Sequence, residues 1–400
     1  MHIYFSGIGG VGLGPLAEIA LDAGYDVSGS DLEGSPMFEQ LQTRGARVHL
    51  GQEVAVINQL HANQPIDWLV YTAALPHDHP ELEFARANNI KITKRDELLA
   101  HIIQEKNLQL IAISGTHGKT TTTAMVVWLF HELGLPVSYS IGSSINFGPS
   151  GAFDASSKYF VYECDEFDRN FLHFNPLISL IPSQSYDHND TYPTQSDYDA
   201  AFEQFKSQSE QTITWQDVST NNITLAGEHN RTNAALAVAA IQKITNESPE
   251  KLTEIVNGFP GTARRFEKLA DNLYSDYAHH PEEIEATLQL AHEISENVSV
   301  VYQPHQNIRQ HQIDYGTCFK TADKVYWLPT YLSREDPNLE ILSPQQLAKD
   351  LPEDKIVFAH LDDELKGMID NELQNGRLVV LMGAGSIDAW AREKFTSSSE

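Results

Sequence analysis

The segment Ser114-Gly115-Thr116-His117-Gly118-Lys119-Thr120-Thr121 constrains this chain more than any other. It follows the apolar run LQLIAIS (108–114) and precedes TTAMVVWLFHELG (122–134), whose apolar spacing is helical and closes at Gly134. A buried strand, a glycine turn and a helix start in that order belong to a parallel α/β sheet. Glycines at 115 and 118 let backbone N–H groups approach phosphate oxygens at the helix N-terminus, where Lys119 reaches the terminal phosphates and the Thr120 hydroxyl suits Mg²⁺. The common form of this loop has glycine where Ile113 stands, which argues against a generic motor ATPase.

A second glycine turn, GIGGVG (7–12), follows a strand-like run from His2 to Phe5, and Asp31 closes the next strand-like run, Tyr25–Ser30. By itself the pattern predicts a tight turn and an anion-binding helix start over Pro15–Ala23 without naming the nucleotide. An NAD-dependent dehydrogenase is one reading of it. Asp67–Tyr71 continues the strand–helix rhythm, so residues 1–107 predict a parallel sheet covered by helices.

Four hundred residues, at about 150 per domain, make room for two or three domains. With 27 Lys and Arg against 55 Asp and Glu, the net charge of −28 leaves no basic face for nucleic acid or an anionic membrane. It leaves room for small anions held by a few cations. Two cysteines, Cys164 and Cys318, exclude a disulfide framework and predict a reducing, cytoplasmic setting. MHIYFSGIGG lacks the form of a signal peptide, and no apolar run is long enough to span a bilayer.

Further strands are predicted at 158–164 and 177–183, while the polar stretch 206–227 predicts a connector or small hairpin. A long helix is expected from Thr232 to Ile244, and Ser248-Pro249 opens another. FPGT (259–262) marks a boundary into a third unit with strands near 298–302, 324–328 and 377–382. The expected division is 1–107, 108–258 and 259–400, all α/β.

Acidic and histidine-rich clusters fall at predicted strand ends, where open α/β sheets hold ligands. The run Glu163-Cys164-Asp165-Glu166-Phe167-Asp168 can supply oxygen ligands to a cation beside a phosphate loop, or be a solvated charge run. Tyr186-Asp187-His188-Asn189-Asp190 ends the following strand. Glu228-His229-Asn230 precedes a helix carrying Asn233, where helix capping competes with a binding role. Arg264-Arg265 offers two planar forks for phosphate or carboxylate. SDYAHHP (275–281) and QPH (303–305) gather histidines that serve as ligands or as orienting groups.

The ordered set GIGGVGLGPLAE, SGTHGKTTTT, ECDEFDRNF, DHNDTY, EHNRTNAALA, FPGTARRFE, SDYAHHPEEI, QPH and LMGAGSI resembles the Mur ligase family of peptidoglycan synthesis, and within it the branch that adds L-alanine to UDP-N-acetylmuramate. The resemblance runs along nearly the whole chain. It implies an N-terminal Rossmann-like domain for the UDP-sugar, a central phosphate-loop ATPase domain and a C-terminal Rossmann-like domain on the amino-acid side. It implies that ATP phosphorylates the lactyl carboxylate and that an amino group attacks the resulting acyl phosphate. Gly115, Thr116, Gly118, Lys119, Thr120 and Thr121 then hold ATP, with Asn230 and Asn233 near the adenine and Arg265 on a phosphate. Thr120 and Glu163 resemble ligands of one Mg²⁺ and His188 a ligand of a second. Lys119, Glu163, His188, Arg265 and His279 are the implied catalytic set. Gly9, Gly10, Gly12, Asp31, Thr72 and Ala73 lie on the UDP-sugar side, and Tyr277, His279, His305 and Arg309 on the acceptor side. The implied partners are UDP-N-acetylmuramate, an L-amino acid and ATP, met in the cytoplasm by a monomer or homodimer.

Three departures stand out. After QPH the L-alanine branch usually continues Arg-Tyr-Ser/Thr-Arg, whereas this chain reads Gln306-Asn307-Ile308-Arg309, and a neutral amide does not replace a charged fork. Ser183-Gln184-Ser185 stands where many relatives have Asn-x-Glu. Residues 191–228 are shorter than the family's usual connection, which predicts a trimmed central sheet around 206–227. Alternatives are a recycling ligase that joins a murein peptide to the same sugar, and a non-catalytic nucleotide or UDP-sugar sensor.

Overall fold

A computed structural model describes residues 1–72, 75–187, 191–333 and 335–396. The chain forms three sheets in two compact units, the first from Met1–Ser219 with Asn233–Phe259 and the second from Thr220–Thr232 with Pro260 onward.

The first unit opens with five parallel strands, β1 (His2–Ser6), β2 (Asp26–Asp31), β3 (Arg47–Leu50), β4 (Trp68–Tyr71) and β5 (Lys91–Thr93), in the order β3-β2-β1-β4-β5. The order reverses between β1 and β4, which opens a crevice at their carboxyl ends. All of β1 is buried, as a central parallel strand covered on both faces must be. Gly29 in β2 is required by packing: a Cβ there would lie inside 3.0 Å of the Phe5 carbonyl oxygen.

The same unit carries a second sheet of β6 (Gln109–Ile113), β7 (Ser138–Ser140), β8 (Gly151–Ala152), β9 (Tyr159–Glu163), β10 (Ile178–Ile181) and β11 (Gln211–Thr214). Its order is β11-β10-β6-β9-β7-β8, parallel except for the β7–β8 pair. The fully buried Ile111, Ala112 and Ile113 place β6 at its centre. The polar stretch 206–227 forms no hairpin and is a connector only in its latter part: β11 pairs in parallel with β10 after the helix Gln195–Gln208, and 215–227 carries no helix or strand. Only Ile213 of β11 is buried, so this edge strand lacks an apolar alternation to announce it.

The second unit holds β12 (Glu267–Ala270), β13 (Leu273–Asp276), β14 (Val298–Tyr302), β15 (Lys324–Trp327), β16 (Ile356–Phe358) and β17 (Leu378–Met382). The order is β12-β13-β17-β14-β15-β16, with only β12 antiparallel. Central β14 and β17 are buried throughout. The loops after β13, β14 and β17 therefore leave the same edge of the sheet. Among the described residues, no helix is long and apolar enough to cross a membrane.

Candidate active site

The phosphate loop leaves the carboxyl end of β6 and enters the helix Lys119–Glu132. Two glycines permit this path. Gly115 has φ +151°, and a Cβ on it would fall inside 3.0 Å of the Ser183 carbonyl oxygen. Gly118 has φ +84°, and a Cβ there would sit 2.6 Å from Asn233 Oδ1. The segment after β10 clasps the loop: Ser183 Oγ accepts from His117 N–H at 2.7 Å, and Thr116 Oγ1 donates to the Ser185 carbonyl at 2.7 Å. Thr116 Oγ1 also accepts from Ser185 N–H at 2.8 Å. Ser183 and Ser185, noted as departures from the family pattern, thus brace the loop directly. Thr121 is buried in the first helical turn, beside Thr120.

Charge is concentrated at this helix start. Lys119 Nζ donates to the Gly115 carbonyl at 2.6 Å and pairs with Glu166, 2.9 Å from Oε2 and 3.1 Å from Oε1. Burial works against the ammonium charge, but Glu166, Asp165 and Glu163 outweigh it and hold Lys119 above its ordinary range. Burial pushes the Asp165 carboxyl up, with Lys119 opposing. Glu163, at the end of β9, accepts from Thr120 Oγ1 at 2.7 Å and from Gly142 N–H at 2.7 Å. A hydroxyl and a carboxylate so close, beside a helix N-terminus and a lysine, are the hard oxygen donors Mg²⁺ takes. His188 lies outside the described residues.

At the crevice of the first sheet, Gly7 (φ +91°) packs against Thr72, whose Cγ2 would be 2.9 Å from a Cβ. Thr72 N–H donates to the Ser6 carbonyl, fixing the end of β4 beside the turn. Asp31 Oδ2 accepts from Gly9 N–H at 2.7 Å, and its Oδ1 accepts from Leu32 N–H at 2.8 Å. The carboxylate braces the glycine turn. A Cβ on Gly10 would lie 3.3 Å from the Gly7 carbonyl oxygen, while one on Gly12 would have more room, with Arg95 Nη1 3.8 Å away. Ala73 lies outside the described residues.

The second unit gathers its predicted residues at the carboxyl edge of its sheet. The guanidiniums of Arg264 and Arg265 lie over the Tyr277 ring, 4.7 and 5.2 Å from its centroid. Arg264 takes φ +58° and Phe266 φ +49°, an unusual pair for side chains of this size. The buried carboxylate of Asp276 secures that path, accepting from Phe266 and Ala278 N–H, each at 2.7 Å. His279 Nδ1 faces two acceptors, Glu283 at 3.1 Å and the Tyr277 carbonyl at 3.2 Å. With the proton on Nδ1, Nε2 is the acceptor toward Arg309 Nη1 at 3.4 Å. His305 is stacked on Tyr331 with ring centroids 5.7 Å apart. Burial, helped by His279 and Arg309, lowers its pKa to about 4, so it is neutral at physiological pH.

Asn230 belongs to this unit and donates from Nδ2 to the Ala226 carbonyl at 3.0 Å. It sits in the first turn of a helix that runs Glu228–Ile244, one turn earlier than Thr232. Asn233, farther along that helix, belongs to the first unit.

Family models match at both ends of the chain: the Mur ligase family catalytic domain over residues 2–107 and the Mur ligase glutamate ligase domain over 264–385. The UDP-N-acetylmuramate–L-alanine ligase of Clostridium acetobutylicum is 31% identical over 447 aligned positions, covering 96% of this chain and 95% of the relative. That of Rickettsia felis is 30% identical, covering 98% and 95%. The chain belongs to the Mur ligase family. Among solved structures, this Mur ligase resembles the UDP-N-acetylmuramate-alanine ligase of Thermotoga maritima (TM-score 0.77, 24% identity, all of both chains). It also resembles a murein peptide ligase of Psychrobacter arcticus (TM-score 0.61, 21% identity, 99% and 98% covered). The 447 aligned positions exceed the chain's 400 residues, so the Clostridium relative carries segments this Mur ligase lacks.

Sequence reasoning passed over several groups of this Mur ligase that the geometry brings forward. Glu166 was visible only as one member of an acidic run, yet it is the carboxylate that pairs with Lys119. Arg264, read from the sequence as a fork beside Arg265, lies nearer Tyr277 than Arg265 does and donates from Nη2 to the Gly383 carbonyl at 2.8 Å. Glu335 holds the loop after His305, its Oε1 accepting from Asn307 N–H at 3.1 Å and Ser333 N–H at 2.8 Å. Arg334, beside it, lies outside the described residues.

Proposed function

We propose that this Mur ligase joins L-alanine to the lactyl carboxylate of UDP-N-acetylmuramate at the expense of ATP, as the first amino-acid addition in peptidoglycan precursor synthesis. Near-complete mutual coverage with ligases of that name supports the substrates. The observation that carries the chemistry is the loop at 114–121, with Lys119 at its helix start and Thr120 against Glu163.

A carboxylate resists attack by an amine until one oxygen becomes a leaving group. In the proposed sequence a lactyl carboxylate oxygen attacks the γ-phosphorus and ADP departs. The uncharged amine of alanine then adds to the acyl carbon and gives up one proton, and the resulting tetrahedral adduct expels inorganic phosphate with that same oxygen, the proton leaving to phosphate or solvent. Such a transfer needs positioning and charge neutralisation more than covalent help. Lys119 and the backbone N–H groups of the helix start meet the transferring phosphoryl group, with Arg265 as a further phosphate contact. Thr120 and Glu163 would hold one Mg²⁺ and His188 a second, and the ions would neutralise phosphate charge. Gly115, Thr116, Gly118 and Thr121 shape the ATP site, with Asn230 and Asn233 toward the adenine.

On the acceptor side, Arg309 offers a fork to the amino-acid carboxylate, with Tyr277, His279 and His305 around it. Gln306 leaves that fork without its usual arginine neighbour. Gly9, Gly10, Gly12, Asp31, Thr72 and Ala73 serve the UDP-sugar. We assign these tasks to segments 1–107, 108–258 and 259–400 in that order. We place the reaction in the cytoplasm, with small-molecule partners only and a monomeric or homodimeric enzyme. Running the reaction on UDP-N-acetylmuramate labelled with ¹⁸O in the lactyl carboxylate tests the intermediate. One ¹⁸O should appear in inorganic phosphate, and unlabelled phosphate would exclude the acyl phosphate.

A further inference from the structure

The strongest unexplained feature is the anion already held by the phosphate-loop lysine. Glu166 is fully buried and contacts Lys119 Nζ with both oxygens, at 2.9 and 3.1 Å. The backbone pins it in place: its carbonyl accepts from Tyr192 Oη at 2.6 Å and from Arg169 N–H at 3.1 Å. The chain just beyond it takes two consecutive left-handed residues, Asp168 (φ +54°) and Arg169 (φ +59°), a path that non-glycine residues adopt at a cost. Lys94 pairs with Asp168 and holds that path. A strained, anchored segment therefore presents one carboxylate to the ammonium that the reaction needs for phosphate.

We propose that Glu166 is a positioning residue acting through Lys119: it is the counterion of Lys119 when no phosphate is bound, and nucleotide binding exchanges that carboxylate for phosphate oxygens. The exchange keeps a largely buried ammonium paired at every stage, avoiding the cost of leaving it alone. It also weakens nucleotide binding, because the phosphate must displace a partner already in contact. Lys119 is released from phosphate into a waiting site after turnover, which favours departure of ADP.

This inference rests on the reading of residues 114–121 as a nucleotide site. The test is calorimetric binding of MgADP to the full chain. Glu166→Gln, nearly isosteric but uncharged, should bind MgADP about tenfold more tightly than wild type, a change of about 1.4 kcal/mol. Glu166→Asp retracts the charge by one methylene and should tighten binding less; it serves as the test if the glutamine variant does not fold. In a Lys119→Met background the glutamine substitution should have little effect. Damage to the fold would weaken binding, the opposite sign. The proposal is overturned if a folded Glu166 variant binds MgADP as wild type does or more weakly. It is also overturned if the tightening persists in full without Lys119, since Glu166 would then act by repelling phosphate directly. A wild-type chain that binds no MgADP would instead remove the nucleotide-site reading itself.

Discussion

Gly115→Ala probes whether the phosphate loop is built as tightly as its geometry states. Alanine must adopt φ +151°, and its Cβ would fall inside 3.0 Å of the Ser183 carbonyl oxygen, where ordinary contacts begin at 3.4 Å. The backbone conformation alone costs about 1–3 kcal/mol. The contact adds a forced separation of roughly 0.4 Å or more, and the opposing atom is main chain that also carries the Ser183 hydroxyl on His117. A loop displaced by about an ångström from its productive geometry loses about a hundredfold in rate. Gly134 supplies the control: its φ is +64°, yet nothing lies within 4 Å of its built Cβ. Gly134→Ala should cost only about 1–2 kcal/mol of left-handed strain and leave turnover unchanged. Thermal melts and initial rates of ADP formation, measured side by side, compare the two. Equal melting temperatures and equal rates would refute the packed-loop description.

Three further outcomes follow from the sites. Lys119→Ala should lower ADP formation by about a hundredfold or more, the scale for removing one transition-state charge partner; wild-type turnover would rule Lys119 out. Arg309→Gln should raise the KM for L-alanine about tenfold or more with a smaller change in kcat, and Arg309→Lys should restore it only in part, because an ammonium lacks the planar fork. An unchanged KM would remove Arg309 from the acceptor site. His229, lowered to about 4 by burial and by Arg265, stays neutral in the folded chain while the unfolded chain protonates near 6.5. Stability is therefore full above about 6.5 and declines as the pH falls toward about 4, where the unfolded state binds more protons. Urea melts of His229→Gln between pH 7 and 4.5 should decline less steeply than wild type, and parallel curves would contradict this.

What the sequence discloses and what it hides divide along physical lines. Central strands such as β6 and β14 read as nearly continuous apolar runs, interrupted only by Gln109 at the start of β6 and by Ser299 in β14, because they are covered on both faces. The glycine turns are legible because φ beyond +80° at Gly7 and Gly118 leaves almost no alternative residue. Edge strands are hidden: β12 has no fully buried residue and β11 has one, so neither carries a period. The helix Glu228–Ile244 starts earlier than expected because its first turn is polar and carries no apolar period, supported by Gly227 at φ +85° and by the Arg231–Glu293 pair. Pairings across long sequence separations have no local signature at all. Lys119 with Glu166, 47 residues apart, emerges only once β6 and β9 pair and bring their ends together. Asp31 fits a ligand-binding pattern in the sequence, and the structure adds that its Oδ2 holds Gly9 in the glycine turn while its Oδ1 caps its own neighbour Leu32.

An amino-acid panel decides which acceptor the enzyme uses. With ATP, Mg²⁺ and UDP-N-acetylmuramate supplied, ADP release is measured with each amino acid in turn. L-alanine should stimulate release and yield UDP-N-acetylmuramoyl-L-alanine. Failure of every amino acid to stimulate release, by a folded chain that binds ATP, would contradict the proposed acceptor reaction.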